Sequence, residues 1–250
     1  MSQNITNTTA NESNPLPSSA EIFAKNWQMY QKIIENNHMR HQEMYDALHQ
    51  FILNYSTESF SFLDLGCGDA STLTHCLIDS KIKSYTGVDL SPQALAIAQK
   101  NLACLPGEKT LITGNIKDIV KELITTKNLK FDVVFSSYAI HHLNTSEKQG
   151  LINDIWQILN PNSCFIFIDV FREEGETRES FLAKYWQNIN ENWLSLTKAE
   201  IEMAIQHMAT CDFPETEKTI YQQAQNAGFS KFECVYRDQQ HPGNLLVFYK

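Results

Sequence analysis

The stretch Phe62-Leu63-Asp64-Leu65-Gly66-Cys67-Gly68-Asp69-Ala70 is an apolar run that ends in an acid and then breaks into a two-glycine turn. The apolar residues suit a buried strand, and the glycines let backbone N–H groups approach a ligand where a side chain would collide. From Ser71 onward the chain reads as a helix. A carboxylate two residues before the first glycine stands at the strand's carboxyl end, where it can bind a cation or accept hydrogen bonds from an amine. A dinucleotide pyrophosphate would be repelled from that position.

Tyr85-Thr86-Gly87-Val88-Asp89-Leu90-Ser91-Pro92 is a second short strand ending in an acid. An acid at the tip of the second strand can accept hydrogen bonds from both hydroxyls of a ribose, which makes Asp89 the natural ribose ligand. Ser91 as N-cap and Pro92 at the first helical position open the next helix. A plainer reading of Asp64 and Asp89, as caps or turn formers, stays open. Gly66-x-Gly68-x-x-Ser71 puts serine where a nicotinamide-binding fold favours its third glycine, so a dehydrogenase fits poorly.

Working outward, strands are expected at 60–65, 84–89, 109–113, 131–136 and 164–170, with helices at 70–80, 92–102, 116–125 and 146–159 between them. Residues 21–53 read as one or two helices that precede the first strand. After a mostly helical insertion at about 171–215 come a helix at 215–226, a stop at Gly228, and strands at 230–237 and 245–249 joined by a turn holding Pro242 and Gly243. This is an α/β pattern, a doubly wound Rossmann-like sheet of seven strands with the last antiparallel. The expected domains are a disordered tail over 1–20, helices over 21–58 that act as a lid, and a main domain over 59–250 carrying the insertion.

Composition narrows the function. Twenty Lys and Arg against 29 Asp and Glu give a net charge of −9 with no basic block, so nucleic acid is a poor partner. The six cysteines are scattered without C-x-x-C pairs or metal-ligand spacing, which favours a reducing compartment and argues against zinc. No segment approaches membrane-spanning length, and the first 20 residues, rich in Asn, Ser and Thr, lack the pattern of a secretory signal. A cytoplasmic enzyme, monomeric or homodimeric and without a membrane partner, is expected.

The chain resembles the class I S-adenosylmethionine-dependent methyltransferases. The resemblance is carried by Asp64-Leu65-Gly66-Cys67-Gly68, Gly87-Val88-Asp89-Leu90-Ser91, Thr113-Gly114-Asn115-Ile116, Phe131-Asp132-Val133-Val134-Phe135, and Leu159-Asn160-Pro161-Asn162-Ser163 leading into Cys164-Phe165-Ile166-Phe167-Ile168-Asp169, in the family's order over about residues 60–170. Ala70 and Asn115 depart from the residues many members carry there, glycine and aspartate. The resemblance implies S-adenosylmethionine as cofactor and S-adenosylhomocysteine as product. It implies that Gly66, Cys67 and Gly68 wrap the methionine portion, Asp64 meets its amino group, and Asp89 holds the ribose. Leu90 and Ile116 would sandwich the adenine, Asn115 would reach its exocyclic amine, and Ser136 would offer its backbone carbonyl.

The segment Ser136-Ser137-Tyr138-Ala139-Ile140-His141-His142-Leu143 bears on the acceptor. It lacks the Asn/Asp-Pro-Pro-aromatic tetrad that marks amide or nucleobase methylation in this family, and it is similar to small-molecule members with His-His-Leu after the fourth strand. Methyl transfer to oxygen or nitrogen of a small organic molecule is therefore expected. The alternatives are a tRNA or protein methyltransferase and a non-catalytic cofactor-binding protein.

His141 or His142 is the candidate base, with His207 in reserve; a structural role for either of the pair is an equal reading. Tyr138, Tyr185, Trp186, Trp193 and His207 are candidate substrate contacts, against the plainer reading of the aromatic stripe as packing. No metal is expected, because catechol-type dependence needs several carboxylates near the fourth and fifth strand ends and Asp169 stands there alone.

Overall fold

The computed structural model describes residues 19–55 and 58–250, with side chains from Trp27 onward. The tail expected over 1–20 lies outside the described residues up to Ser19, where the first helix starts. Seven strands form one sheet: β1 (Phe60–Leu65), β2 (Ile82–Asp89), β3 (Glu108–Thr113), β4 (Phe131–Ser137), β5 (Leu159–Val170), β6 (Lys231–Arg237) and β7 (Gly243–Tyr249). Their order is β3-β2-β1-β4-β5-β7-β6. β1 pairs parallel with β2 and β4, whereas β7 runs antiparallel between β5 and β6. The seven-strand Rossmann-like sheet with its antiparallel last strand is thus as expected.

Alternation along the strands sends side chains to two cores. Phe62, Tyr85, Val133, Phe135 and Ile166 enter one layer, and Leu63, Leu65, Val134, Phe165 and Phe167 the other. All six residues of β1 are buried, because helices cover both faces of the parallel sheet. The helices that follow the parallel strands are α3 (Ser71–Leu77), α4 (Pro92–Asn101), α5 (Ile116–Thr125) and α6 (Thr145–Ile158), and α9 (Glu217–Ala227) leads into β6. The α3 helix stops three residues short of the expected boundary. β5 starts five residues before its apolar run. There Leu159 already pairs with Phe131, and a register shift carries Asn160 to Ser163 past the sheet before Cys164 resumes pairing.

Two segments lie over the carboxyl ends of the strands. One is α1 (Ser19–Glu35) with the start of α2 (His41–Tyr55); the rest of α2 packs on the sheet face beside α3, burying Met44, Leu48 and Ile52 at four-residue spacing. The other is the insertion, folded as α7 (Arg178–Asn192) and α8 (Lys198–Cys211). They meet through a Lys32–Glu200 ion pair at 2.6 Å and a His38–Ser195 hydrogen bond at 2.6 Å.

Ser91 caps α4 by accepting from the Ala94 N–H at 3.2 Å, with Pro92 behind it. Asn144 caps α6 in a capping box with Glu147, which fixes where the chain leaves the histidine pair. Asn144→Ala should lower unfolding stability by about 1 kcal/mol, read from denaturant midpoints at constant slope.

Candidate active site

The glycine turn takes backbone angles that side chains resist. Gly66 lies at φ +82°, and a Cβ there would stand 2.5 Å from the Ala139 Cβ; Gly68 lies at φ +53°. Ala70 completes the turn at φ +54°, just before α3.

Asp89 buttresses this turn from β2: one carboxylate oxygen accepts the Gly68 N–H at 2.9 Å and the other the Ser91 N–H at 2.8 Å. A carboxylate has about four lone-pair sites, so two remain for a ligand. Burial raises the Asp89 pKa above its ordinary value, partly opposed by those N–H groups. Asp64 accepts the Tyr85 hydroxyl at 2.7 Å. Burial pushes its carboxyl up to about 7, the Tyr85 bond opposing and the Asp89 charge adding.

These groups open into a cavity of about 380 Å³ lined by Asp64, Gly66, Cys67, Gly68, Asp89, Leu90, Asn115 and Ile116 on the sheet side, with Trp27, Tyr30, His41 and Tyr45 opposite. A second, apolar chamber of about 110 Å³ adjoins it, and Tyr30, Tyr138, His142 and His207 line both.

Asp212, which follows α8, reaches this junction and places Oδ1 3.1 Å from His142 Nδ1, 3.6 Å from His141 Nε2 and 3.7 Å from His207 Nε2. His141 is buried, its Nδ1 2.5 Å from the Asp169 carboxylate, which also accepts the His141 backbone N–H at 3.1 Å. Although burial opposes a charge there, Asp169 and Asp212 raise His141 to about 9. Asp212 is held well below the usual carboxylate range, because His141 and His142 outweigh its burial. Burial pushes His207 down to about 4. The expectation that Asp169 stands alone is therefore corrected: an acid 43 positions later in sequence folds back beside it.

Residues 63–165 match the family model described as a methyltransferase domain. The chain is 22% identical over 188 residues to the carboxy-S-adenosyl-L-methionine synthase of Campylobacter lari, covering 75% of this chain and 77% of that one. It is 29% identical over 110 residues to the malonyl-[acyl-carrier protein] O-methyltransferase of Halalkalibacterium halodurans, covering 44% and 39%.

The chain carries a class I S-adenosylmethionine-dependent methyltransferase domain. Among solved structures, the magnesium protoporphyrin IX methyltransferase of Synechocystis with bound S-adenosylhomocysteine shares the fold, with a TM-score of 0.63 at 12% identity over 92% of this chain and 97% of that one.

The residues of this methyltransferase fit its cofactor. The glycines leave an open concave backbone, Asp89 keeps two lone pairs, and Asp64 offers a buried acceptor to a cationic amine. Two expected contacts look different. The Asn115 side-chain oxygen caps α5 by accepting the Lys117 N–H at 2.9 Å, so it meets the cavity already bonded. Ser136 is fully buried and donates to the Leu65 carbonyl at 2.9 Å; its neighbours Phe135 and Ser137 line the cavity instead, as strand alternation requires.

Of the histidine pair, His142 faces the cofactor cavity while His141 packs beneath it and borders the chamber. Tyr138 lines both spaces at φ +50°, its hydroxyl donating to the Met39 carbonyl at 2.7 Å. Tyr185 and Trp193 border the chamber. The Tyr185 hydroxyl meets His241 at 2.9 Å, and Trp193 stacks on His38. Trp186 lines neither space and packs against the core, so for it the packing reading fits.

Sequence reasoning missed His41 and Tyr45 of α2 as cavity residues. His41 is buried among Tyr30, Tyr45 and Tyr138, and burial lowers it to about 3, a neutral ring facing the cavity with both nitrogens unbonded. Its helical spacing with Met44 and Leu48 signalled only a packed helix.

Proposed function

We propose that this enzyme moves a methyl group to an oxygen or nitrogen of a small organic molecule that carries no negative charge. One observation carries the reading: the chamber beside the cofactor cavity is small and mostly apolar, and among the described residues no Lys or Arg lines either space. The carboxylate of an acceptor seated in that chamber would find no ammonium or guanidinium beside it. When bound, S-adenosylmethionine supplies an electrophilic methyl group on a sulfonium, which already leaves well.

The protein's share is position and dryness. Tyr138 on the β4 side and Tyr30 on the α1 side line both spaces and narrow the junction, holding a nucleophile close and excluding water. The acceptor's proton goes to the histidine–aspartate cluster, of which His142 and His207 line the cavity and His142 stands nearer Asp212. The free cysteines, scattered and unpaired, support a reducing, cytoplasmic setting.

Calorimetric titration should show micromolar binding of both S-adenosylmethionine and S-adenosylhomocysteine, after which a screen for methyl transfer should find turnover among neutral phenols and amines and none among carboxylates. A carboxylate turned over faster than its neutral analogue would sink the charge argument. His142→Gln should cut turnover by roughly 10²-fold or more while S-adenosylhomocysteine affinity changes less than about threefold.

A further inference from the structure

We propose that the cluster at the junction is a divalent transition-metal site, with His141, His142 and Asp212 as ligands and a remaining position open to the acceptor. One ligand atom from each of the three residues lies within 4.8 Å of the other two. Donors about 2.0–2.1 Å from a tetrahedral ion stand about 3.3 Å apart. The distances from Asp212 Oδ1 to His142 and His141, 3.1 and 3.6 Å, bracket that value.

Two further observations point the same way. Asp212 Oδ1 is buried and makes no hydrogen bond, although three imidazole nitrogens lie within 3.7 Å of it; of these, His142 Nδ1 has the Cys211 carbonyl at 3.3 Å as its other neighbour. Asp169 meanwhile bonds the far nitrogen of His141, leaving Nε2 toward Asp212; a carboxylate behind a histidine in this way orients metal-binding imidazoles and strengthens them as ligands.

Imidazole with carboxylate suits zinc, iron, cobalt or nickel rather than magnesium or calcium. With no Lys or Arg in either space, the ion would be the only full positive charge the described residues hold there besides an imidazolium. His207 lines both spaces. With the ion bound, His142 is a ligand rather than a base; an acceptor hydroxyl in the open position would be acidified, because the ion stabilises the oxyanion, and its proton would pass to His207. The inference rests on reading this junction as the acceptor end of the site.

The test uses the full chain, stripped with a chelator and titrated with Co²⁺. Expected is one equivalent bound, with the visible absorption of four- or five-coordinate cobalt, displaced by Zn²⁺. Asp212→Asn and His142→Gln should each weaken Co²⁺ binding at least about a hundredfold, and Asp169→Asn about 10- to 100-fold. S-adenosylhomocysteine titration of each variant confirms that it is folded.

Wild-type protein that binds S-adenosylhomocysteine but shows no saturable cobalt spectrum overturns the metal site and leaves the proposed function standing; a proton on His141 then fills the role. A cobalt spectrum unchanged in both Asp212→Asn and His142→Gln also overturns it. Failure of the proposed function shows separately, as absent S-adenosylhomocysteine binding or absent turnover.

Discussion

Asp89→Ala is expected to weaken S-adenosylmethionine binding by more than about a hundredfold. The carboxylate accepts the Gly68 and Ser91 N–H groups, and with about four lone-pair sites it keeps acceptor capacity for a ligand in the cavity that it lines. Hydrogen bonds to a charged group contribute about 1.5–3 kcal/mol each, so losing two ribose contacts alone removes about 3 kcal/mol or more, over two decades of affinity. Alanine also releases the Gly68 N–H, loosening the turn that carries the methionine end. Asp89→Asn keeps the shape and part of the acceptor capacity, and its loss should fall between wild type and alanine. Calorimetry with S-adenosylhomocysteine, on variants whose melting temperature shows them folded, reads the effect; affinity within threefold of wild type for Asp89→Ala removes Asp89 from the ribose.

The second large effect is on pH. Asp64, pushed up to about 7 by burial, is mostly protonated in the free enzyme at pH 6, and only its ionised form suits a cationic amine. Affinity should therefore rise about tenfold between pH 6 and pH 7.5, with a proton released on binding at the acid end. Above about pH 8 the ligand's own α-amino group begins to lose its charge, and affinity should fall again.

The sign for stability is the reverse. A folded-state pKa above the ordinary carboxylate value means that Asp64 disfavours the ligand-free fold increasingly as pH rises from about 4 to about 7. Stabilisation by cofactor, read as a melting shift, should accordingly be larger at pH 7.5 than at pH 6. Asp64→Asn should flatten the acid limb of the binding profile; a limb that persists in this variant assigns the titration to another group.

The sheet and its cofactor edge were legible in sequence because their signals are local. An apolar run, an acid and a glycine turn lie within nine residues, Phe62 to Ala70, and the geometry there follows from backbone angles that the residues themselves dictate. The start of β5 was not legible, since Asn160, Pro161 and Asn162 read as a turn and are held in the strand only by the pairing of Leu159 with Phe131.

The acceptor end was half legible. The pairing of His141 with His142 drew attention, but nothing in sequence spacing says that Asp212 returns to meet both, or that His41 faces the cavity from a helix whose other signals describe packing. Ser136 and Ser137 show how fine the margin is: one residue along a strand exchanges a cavity wall for a bond to the neighbouring strand.

The joint between α1 and the insertion has a consequence for how the protein breathes. Lys32 and Glu200 are 168 positions apart in sequence, and the lysine side chain is 43% exposed. The Glu200 side chain is 16% exposed, and half-exposed pairs of this kind contribute about 0–1 kcal/mol, while β1 beneath is buried on both faces. Amide hydrogens of α1 and α8 should thus exchange through a local opening far cheaper than global unfolding, in which the sheet keeps its protons. Ligand occupying the space between Trp27 and Gly68 would slow that exchange in two helices that are distant in the chain, coupling the first and last parts of the enclosure through one small molecule.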